Sequence, residues 1–185
     1  AGVIAGLFGI GGGVVIVPAL IVALNKQGVE PSVVIHLAIG TSLAIITVTG
    51  ASSALGHWKK GAVVTALLRR MLPGLMLGAV IGGVIAGQLR AELLERYFGL
   101  FMLVLALRML LARPPTQGRQ PAGRPAMLAA GTFIGSFSAL FGVGGGVLSV
   151  PWLSRNGATL ARAIGTSAAC GLPIAAVGAA TFLIT

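Results

Sequence analysis

Charged side chains are scarce in this sequence, and acidic ones are the scarcest. Only 9% of the 185 residues are charged, whereas soluble domains carry about 25%. The acidic residues are Glu30, Glu92 and Glu95. Because hydrophobic residues make up 56% of the chain, the composition excludes an ordinary soluble domain and indicates a membrane protein.

Other absences narrow the class further. No window alternates polar and apolar residues over the roughly ten positions of a transmembrane strand, which argues against an all-β barrel. Cys170 is the only cysteine, so neither an intrachain disulfide nor a CxxC metal site can form. The longest apolar stretches contain no acidic residue, which weighs against cation transport and metal chemistry. We therefore expect an all-α polytopic membrane protein without a cofactor or a metal.

The uncharged stretches are long enough to cross a bilayer. A crossing takes about 20 apolar residues, and five windows approach or exceed that length: 1–25, 31–58, 71–89, 125–154 and 163–185. A sixth, Leu93–Leu111, has charges only near its ends, where long side chains reach the headgroups. The sequence thus predicts about six spans, and its 29 glycines favour tight packing between them.

Positive charge gives the chain a formal net charge of +10. If the six spans follow one another, one side of the membrane holds Lys59, Lys60, Arg69, Arg70, Arg108, Arg113, Arg119 and Arg124, and the other holds Lys26, Arg90, Arg96, Arg155 and Arg162. The first side is predicted to be cytoplasmic, in a bacterial cytoplasmic membrane. We interpret the charge as a topology signal and an attraction to anionic lipid, not as nucleic-acid binding.

Two motifs occur twice in the same order. "GLFGIGGGVVIVPAL" at 6–20 and "ALFGVGGGVLSVPWL" at 139–153 are identical at ten of fifteen positions, and "AIGTS" stands at 38–42 and again at 163–167. Such a pattern indicates an internal duplication. We predict a first repeat of four helices over 1–113, a cytoplasmic loop over 114–125, and a second repeat over 126–185 with only two helices. Four crossings per repeat predict parallel repeats.

The duplication also predicts a longer natural protein. Two further helices are expected after Thr185, and several residues before Ala1, which gives about eight spans in all. A full-length sequence that ends close to Thr185 would contradict this prediction.

Each glycine cluster is predicted to break its helix. Every glycine costs about 1 kcal/mol relative to alanine in a helix interior, and Pro18 and Pro151 remove further helix bonds. Non-helical backbone survives at membrane depth where protein or a water-filled cavity satisfies it, and a half-helix N-terminus suits an anion. The alternative is that the glycines only allow close helix crossing. The candidate substrate-binding glycines are Gly9, Gly11, Gly12, Gly13, Gly142, Gly144, Gly145 and Gly146.

Nucleotide binding is a weaker interpretation of the clusters. A phosphate-binding loop needs a lysine after its last glycine, and Val14 and Val147 stand there.

The AIGTS copies add hydroxyl groups at Thr41, Ser42, Thr166 and Ser167. These hydroxyls can bond a ligand oxygen or the carbonyls of their own helix, and their pairing with the clusters favours a shared polar cavity. Arg162 precedes Thr166 by one helical turn and is a candidate for attracting an anion at the external mouth. The alternative for Arg162 is an interfacial side chain that reaches lipid phosphate. His36 is a candidate for proton coupling or an interfacial helix-end histidine.

At these residues the sequence resembles the sulfite exporter TauE/SafE family of membrane transporters. The resemblance rests on the two glycine motifs, the two AIGTS copies, and "LLRRMLPGLMLGAVIGGVIAGQL" followed by "LLERYFGLFMLVLALRML". It implies about eight helices in two related halves, the transport of sulfur-containing anions such as sulfite and sulfonates, or of related organic anions, and no enzyme activity.

Three functions follow from the sequence, in order of preference. The first is a secondary transporter for small anions, with the substrate held by the two broken helices and the halves rocking. The second is a non-transporting membrane scaffold or assembly factor whose glycines only pack helices. The third, an intramembrane enzyme, is disfavoured because Ser136, Ser138, His36 and His57 form no recognised catalytic pairing. The expected partners are a small anion and the lipid bilayer, and the sequence leaves a coupled proton or ion and an oligomer open.

Overall fold

The computed structural model describes residues 12–111 and 122–184, which form helices without a strand. The helices are α1 (Gly13–Lys26), α2 (Pro31–Lys59), α3 (Thr65–Gln88), α4 (Ala91–Leu110), α5 (Arg124–Phe141), α6 (Gly146–Arg155) and α7 (Leu160–Ile184). In this part of the chain the helical prediction is confirmed. Helices α2, α3 and α7 are long and apolar enough to cross a membrane, and α1 is a shorter apolar helix. Six spans remain a prediction.

Helices α2 and α7, which carry the two AIGTS copies, pack antiparallel. Gly40 lies against Phe182, Leu43 against Gly178, and Gly50 against Leu172, so the residue number rises along one helix as it falls along the other. The prediction of parallel repeats is therefore wrong: the two copies of AIGTS lie on helices that run in opposite directions.

The second glycine cluster reverses the chain. Helix α5 ends at Phe141 and α6 begins at Gly146, and the Ala122 N–H donates a hydrogen bond of 3.1 Å to Asn156 Oδ1. The start of α5 and the end of α6 therefore lie at the same end of the molecule, as in a helical hairpin. The predicted single crossing over 126–153 is wrong in this respect, although a break does occur at the cluster. This reversal accounts for the opposite directions of α2 and α7.

The hairpin turn depends on glycine conformation. Gly142 has a φ of 64° and Gly144 a φ of 72°, in the left-handed region that costs other residues about 1–2 kcal/mol. Gly142 ends α5 as its C-cap, and the chain leaves in a new direction because the following residues cannot continue the helix.

One end of the molecule, hereafter the basic end, collects most of the positive charge. The Val64 N–H donates to Thr166 Oγ1 over 2.9 Å, which places the start of α7 beside the start of α3. The basic end therefore carries the described residues Lys59, Lys60, Arg69, Arg70, Arg108, Arg124, Arg155 and Arg162, whereas Lys26, Arg90 and Arg96 lie at the opposite end with Glu30, Glu92 and Glu95. The predicted placement of Arg155 and Arg162 on the other side is wrong because of the hairpin.

Helices α3 and α5 pack in parallel with their backbones in contact. Gly74, Gly78 and Gly82 recur at every fourth position of α3 and face α5. A methyl group on Gly78 would overlap the Thr132 carbonyl oxygen and lie 2.8 Å from the Ser136 nitrogen. From the α5 side, a Cβ on Gly131 would lie 2.7 Å from a carbonyl oxygen of α3, and a Cβ on Gly135 would overlap another. This is the small-residue packing that lets membrane helices approach closely.

His36 links the start of α2 to the end of α3. Its Nε2–H donates to the carbonyl oxygens of Ala86 at 3.1 Å and Leu89 at 3.0 Å. Ala86 belongs to the last turn of α3 and Leu89 is its C-cap, so neither carbonyl accepts a hydrogen bond from a later residue of the helix. We expect His36→Ala to lower the free energy of unfolding by about 1 kcal/mol. Thermal denaturation in detergent measures the effect, with the exposed neighbour change Leu37→Ala as the control. An unchanged melting temperature for His36→Ala would contradict this assignment.

Candidate functional site

Two short helices begin at matching positions of the two glycine motifs. Helix α1 has Gly12 as its N-cap and α6 has Gly145, and these residues are 133 positions apart, as are the motifs themselves. Each short helix is joined by a tight connection to the long helix after it, against which it turns back. Since α2 and α7 are antiparallel, α1 and α6 also run in opposite directions, with their N-termini inward.

The two glycine motifs meet in the structure. A methyl group on Gly13 would overlap the Gly142 carbonyl oxygen and stand 2.5 Å from Val143 Cα, so the first turn of α1 rests on the hairpin turn of the second copy. Gly145 follows Gly142 by three residues, which span at most about 10 Å. The N-termini of α1 and α6 are therefore close neighbours.

With their outer ends at the two membrane surfaces, the short helices would place this meeting point deep in the membrane. Helix α6 has 10 residues, or about 15 Å, and α1 has 14 residues, or about 21 Å. The length of α6 is about half of a 30 Å hydrocarbon core, and that of α1 is about two thirds of it. Their outer ends carry Arg155 and Lys26 in the last turn, where a cation offsets the negative end of a helix dipole. The positive N-terminal ends face the interior.

The inner ends of α1 and α6 lack side-chain caps. Both N-caps are glycines, which have no side chain to accept a bond from the first N–H groups, and no side-chain bond caps either helix among the described residues. The N–H groups of Gly144 and Gly145 donate none of the hydrogen bonds found between described residues. The carboxylates of Glu30, Glu92 and Glu95 lie at the end of the molecule opposite the basic end, so none of them stands at these helix N-termini to repel an anion. The arrangement can therefore present several N–H donors to one anion.

The AIGTS serines support the hairpin turn. Ser42 Oγ, fully buried, donates to the Gly142 carbonyl oxygen over 2.7 Å. Ser167 Oγ lies 2.7 Å from Ser149 Oγ, which donates to the Gly145 carbonyl oxygen. Both bonds run between segments, so the hydroxyls hold the glycine backbone in place and do not bond the carbonyls of their own helices. Sequence reasoning missed Ser149, whose one signal is that Ile16 stands at the matching position of the first motif.

The site residues predicted from the sequence fall into three groups in the structure. Gly12, Gly13, Ser42, Gly142, Gly144, Gly145, Gly146 and Ser167 come together around the meeting point. Thr41 is exposed on α2, Thr166 accepts the Val64 N–H, and Arg162 is exposed at the basic end, so the structure does not bring these three to the helix N-termini. Gly9 and Gly11 lie outside the described residues.

Comparison with known proteins identifies relatives of the whole chain. The family described as "Sulfite exporter TauE/SafE" matches residues 1–185. A "Probable membrane transporter protein" of Haemophilus influenzae is 38% identical over 186 residues, which cover 100% of this chain and 70% of the relative. No solved structure matches.

Two further relatives carry similar names. "Probable membrane transporter protein YunE" of Bacillus subtilis is 32% identical over 82% of this chain and 62% of its own length. A probable membrane transporter protein of Methanocaldococcus jannaschii is 27% identical over 96% of this chain and 66% of its own length. The chain thus spans between 62% and 70% of these relatives.

Proposed function

Because this chain belongs to the sulfite exporter TauE/SafE family, we propose that it forms the anion-binding part of a secondary transporter for small sulfur-containing anions. The family and the named relatives support a multi-pass membrane transporter. Sulfite, sulfonates and related organic anions are the proposed substrate class, and the cytoplasmic membrane is the proposed site of action.

The observation that carries the proposal is the pair of helix N-termini that meet inside the molecule. Each N-terminus is equivalent to about half a positive charge, so together they supply about one charge without a basic side chain. In a medium of low dielectric constant this field is weakly screened. Backbone N–H groups from both motifs would donate to the oxygens of the bound anion, and the glycines leave room for it to approach.

The opposite directions of α1 and α6 suit transport. Each half-helix is packed on one long helix, α2 or α7, and the two units run in opposite directions. Inverted units around a central site are a known basis of alternating access, in which one unit rocks against the other. We propose this relation for the segments that carry the two motif copies.

Gly12 offers a direct test, because a side chain added at this glycine would meet no backbone atom of the described residues outside its own helix. Among the described residues, a Cβ there would meet only the side chain of Ile16, with Cδ1 at 2.9 Å. Gly12→Asp would place a carboxylate where the anion binds, whereas Gly12→Asn adds the same volume without charge. In proteoliposomes of the full-length protein, sulfite flux at low concentration is expected to fall about tenfold further for Asp than for Asn, a difference of about 1.4 kcal/mol.

The controls separate binding from folding and define the substrate. Gly12→Asp is expected to melt no lower than Gly12→Asn, since the two side chains have nearly the same volume and a carboxylate is favourable near a helix N-terminus. Thiosulfate, an alkyl sulfonate, acetate and chloride are measured in parallel. Equal sulfite flux for the Asp and Asn variants would show that the anion does not bind at Gly12. Transport of acetate without transport of sulfite, thiosulfate or the sulfonate would contradict the proposed substrate class.

A second function, a membrane scaffold without transport, is favoured by one observation. The glycines of the α3–α5 contact only pack helices, which is what the scaffold hypothesis expects of every glycine. If the two Gly12 variants and the unmodified protein show no ligand-dependent stabilisation and no flux, the scaffold is the better account.

A further inference from the structure

A cavity of about 480 Å³ lies between α4, α5 and α6, and its lining includes none of the described glycines and serines that come together where α1 and α6 begin. It is lined by Arg108, Ala126, Ala129, Ala130, Phe133, Ile134, Leu148, Trp152 and Arg155. The hairpin creates this cavity, because it brings the end of α6 back beside the start of α5. The lining contains no carboxylate to pair with the two arginines.

The cavity walls change from basic to apolar with depth. Arg108 and Arg155 stand near the ends of α4 and α6, at the basic end. Phe133 and Ile134 lie deeper, since they follow Ala126 on α5 by seven and eight residues, or about 12 Å along the helix axis. Leu148 lies at the same deep end, near the start of α6. The cavity therefore combines a cationic mouth with an apolar interior.

Trp152 adds an unsatisfied donor to the wall. Its Nε1 atom is buried and has no hydrogen-bond partner among the described residues. A buried indole N–H usually finds an acceptor, and leaving a buried donor unpaired costs about 1–3 kcal/mol. An acceptor oxygen from a bound molecule would satisfy it.

We propose that this cavity binds an anionic phospholipid. The phosphate would be held by the guanidinium groups of Arg108 and Arg155, the Trp152 indole would donate to a phosphate or ester oxygen, and an acyl chain would lie along Phe133, Ile134 and Leu148. Basic pockets between membrane helices are suited to anionic lipid headgroups, and arginine binds phosphate with two parallel hydrogen bonds. A small free anion would leave the apolar depth of the cavity unfilled.

Native mass spectrometry and thermal denaturation of the full-length protein test this proposal with defined lipids. We expect phosphatidylglycerol to be retained and to raise the melting temperature, and phosphatidylcholine to do neither. The double variant Arg108→Gln/Arg155→Gln is expected to lose about tenfold or more in phosphatidylglycerol affinity, or 1.4 kcal/mol. Arg69→Gln/Arg70→Gln is the matched control, because it removes two exposed arginines from the same end.

A milder variant protects the test against misfolding. Trp152→Phe keeps an aromatic ring, although a smaller one, and removes the N–H, so it is expected to weaken phosphatidylglycerol retention while it leaves the melting temperature in phosphatidylcholine within about 2 °C. Equal lipid retention by the unmodified protein, the double variant and the control would overturn the proposal. Stabilisation by inorganic phosphate or sulfite to the same extent as by phosphatidylglycerol would also overturn it, in favour of a small-anion site.

Discussion

Replacing Gly78 by alanine is expected to cause a large loss of stability through the α3–α5 contact. The added Cβ would overlap the Thr132 carbonyl oxygen and approach the Ser136 nitrogen to 2.8 Å. Both contacts are backbone atoms of α5, so no side chain can rotate away and the helices must separate. Overpacking of this kind costs about 3 kcal/mol, which corresponds to a fall of about 10 °C in melting temperature.

Gly99→Ala is the matched control for Gly78→Ala. Gly99 lies within a helix as well, in α4, and a Cβ there meets nothing within 4 Å. Alanine has a higher helix propensity than glycine. This change is therefore expected to leave the free energy of unfolding unchanged or to raise it by up to about 1 kcal/mol, so the melting temperature should not fall. If the two variants melt at the same temperature, the close approach of α3 and α5 is absent from the protein in detergent.

Gly13→Ala is expected to have the largest effect on transport. Its methyl group would overlap the Gly142 carbonyl oxygen and the backbone of Val143, and so it would push α1 away from the hairpin turn. The half-helix N-termini would then separate by about 1 Å, and displacements of this size in a preorganised site can cost about tenfold or more in rate. Flux of a sulfur anion in proteoliposomes measures the loss.

The neighbouring residue supplies the comparison. Gly12→Ala adds the same methyl one position earlier, where among the described residues it meets only the flexible side chain of Ile16. We expect Gly13→Ala to lose more flux than Gly12→Ala, because only the Gly13 methyl overlaps backbone atoms of the other motif. The opposite order, or equal flux in both, would show that the contact between the two glycine motifs does not control transport.

The sequence was sufficient to predict membrane class, helical content and the break at the second glycine cluster. These features follow from local composition: few charged residues, long apolar windows, and adjacent glycines between Phe141 and Val147. Family membership was also predictable, because it rests on the order and spacing of short motifs. None of these predictions required knowledge of how one helix lies against another.

The direction of the chain after the second cluster could not be predicted. The same glycines are compatible with a helix that is interrupted and continues in its direction and with a chain that turns back. The two differ in the left-handed backbone at Gly142 and Gly144 and in the long-range hydrogen bond from Ala122 to Asn156. The wrong choice reversed the expected orientation of α7. It also placed Arg155 and Arg162 on the wrong side, since each additional reversal changes the side of everything that follows.

The roles of the hydroxyl groups were also beyond the sequence. Ser42 and Ser167 were predicted as ligand donors, and the structure gives them long-range bonds to Gly142 and Ser149. A serine side chain is short and many acceptors are available to its hydroxyl group, so its hydrogen-bond partner depends on which segment packs next to it. Their contact with a substrate stays a prediction.

The opposed half-helices have an electrical consequence. The energy of a dipole that lies along the membrane normal depends on the transmembrane voltage, but α1 and α6 point in opposite directions and their moments largely cancel. Their fields nonetheless add at the point between them. Moving such a balanced pair within the membrane transfers little charge, so the voltage dependence of transport should come from the charge of the anion and of any ion that crosses with it, at about 2.3 kcal/mol per elementary charge for each 100 mV.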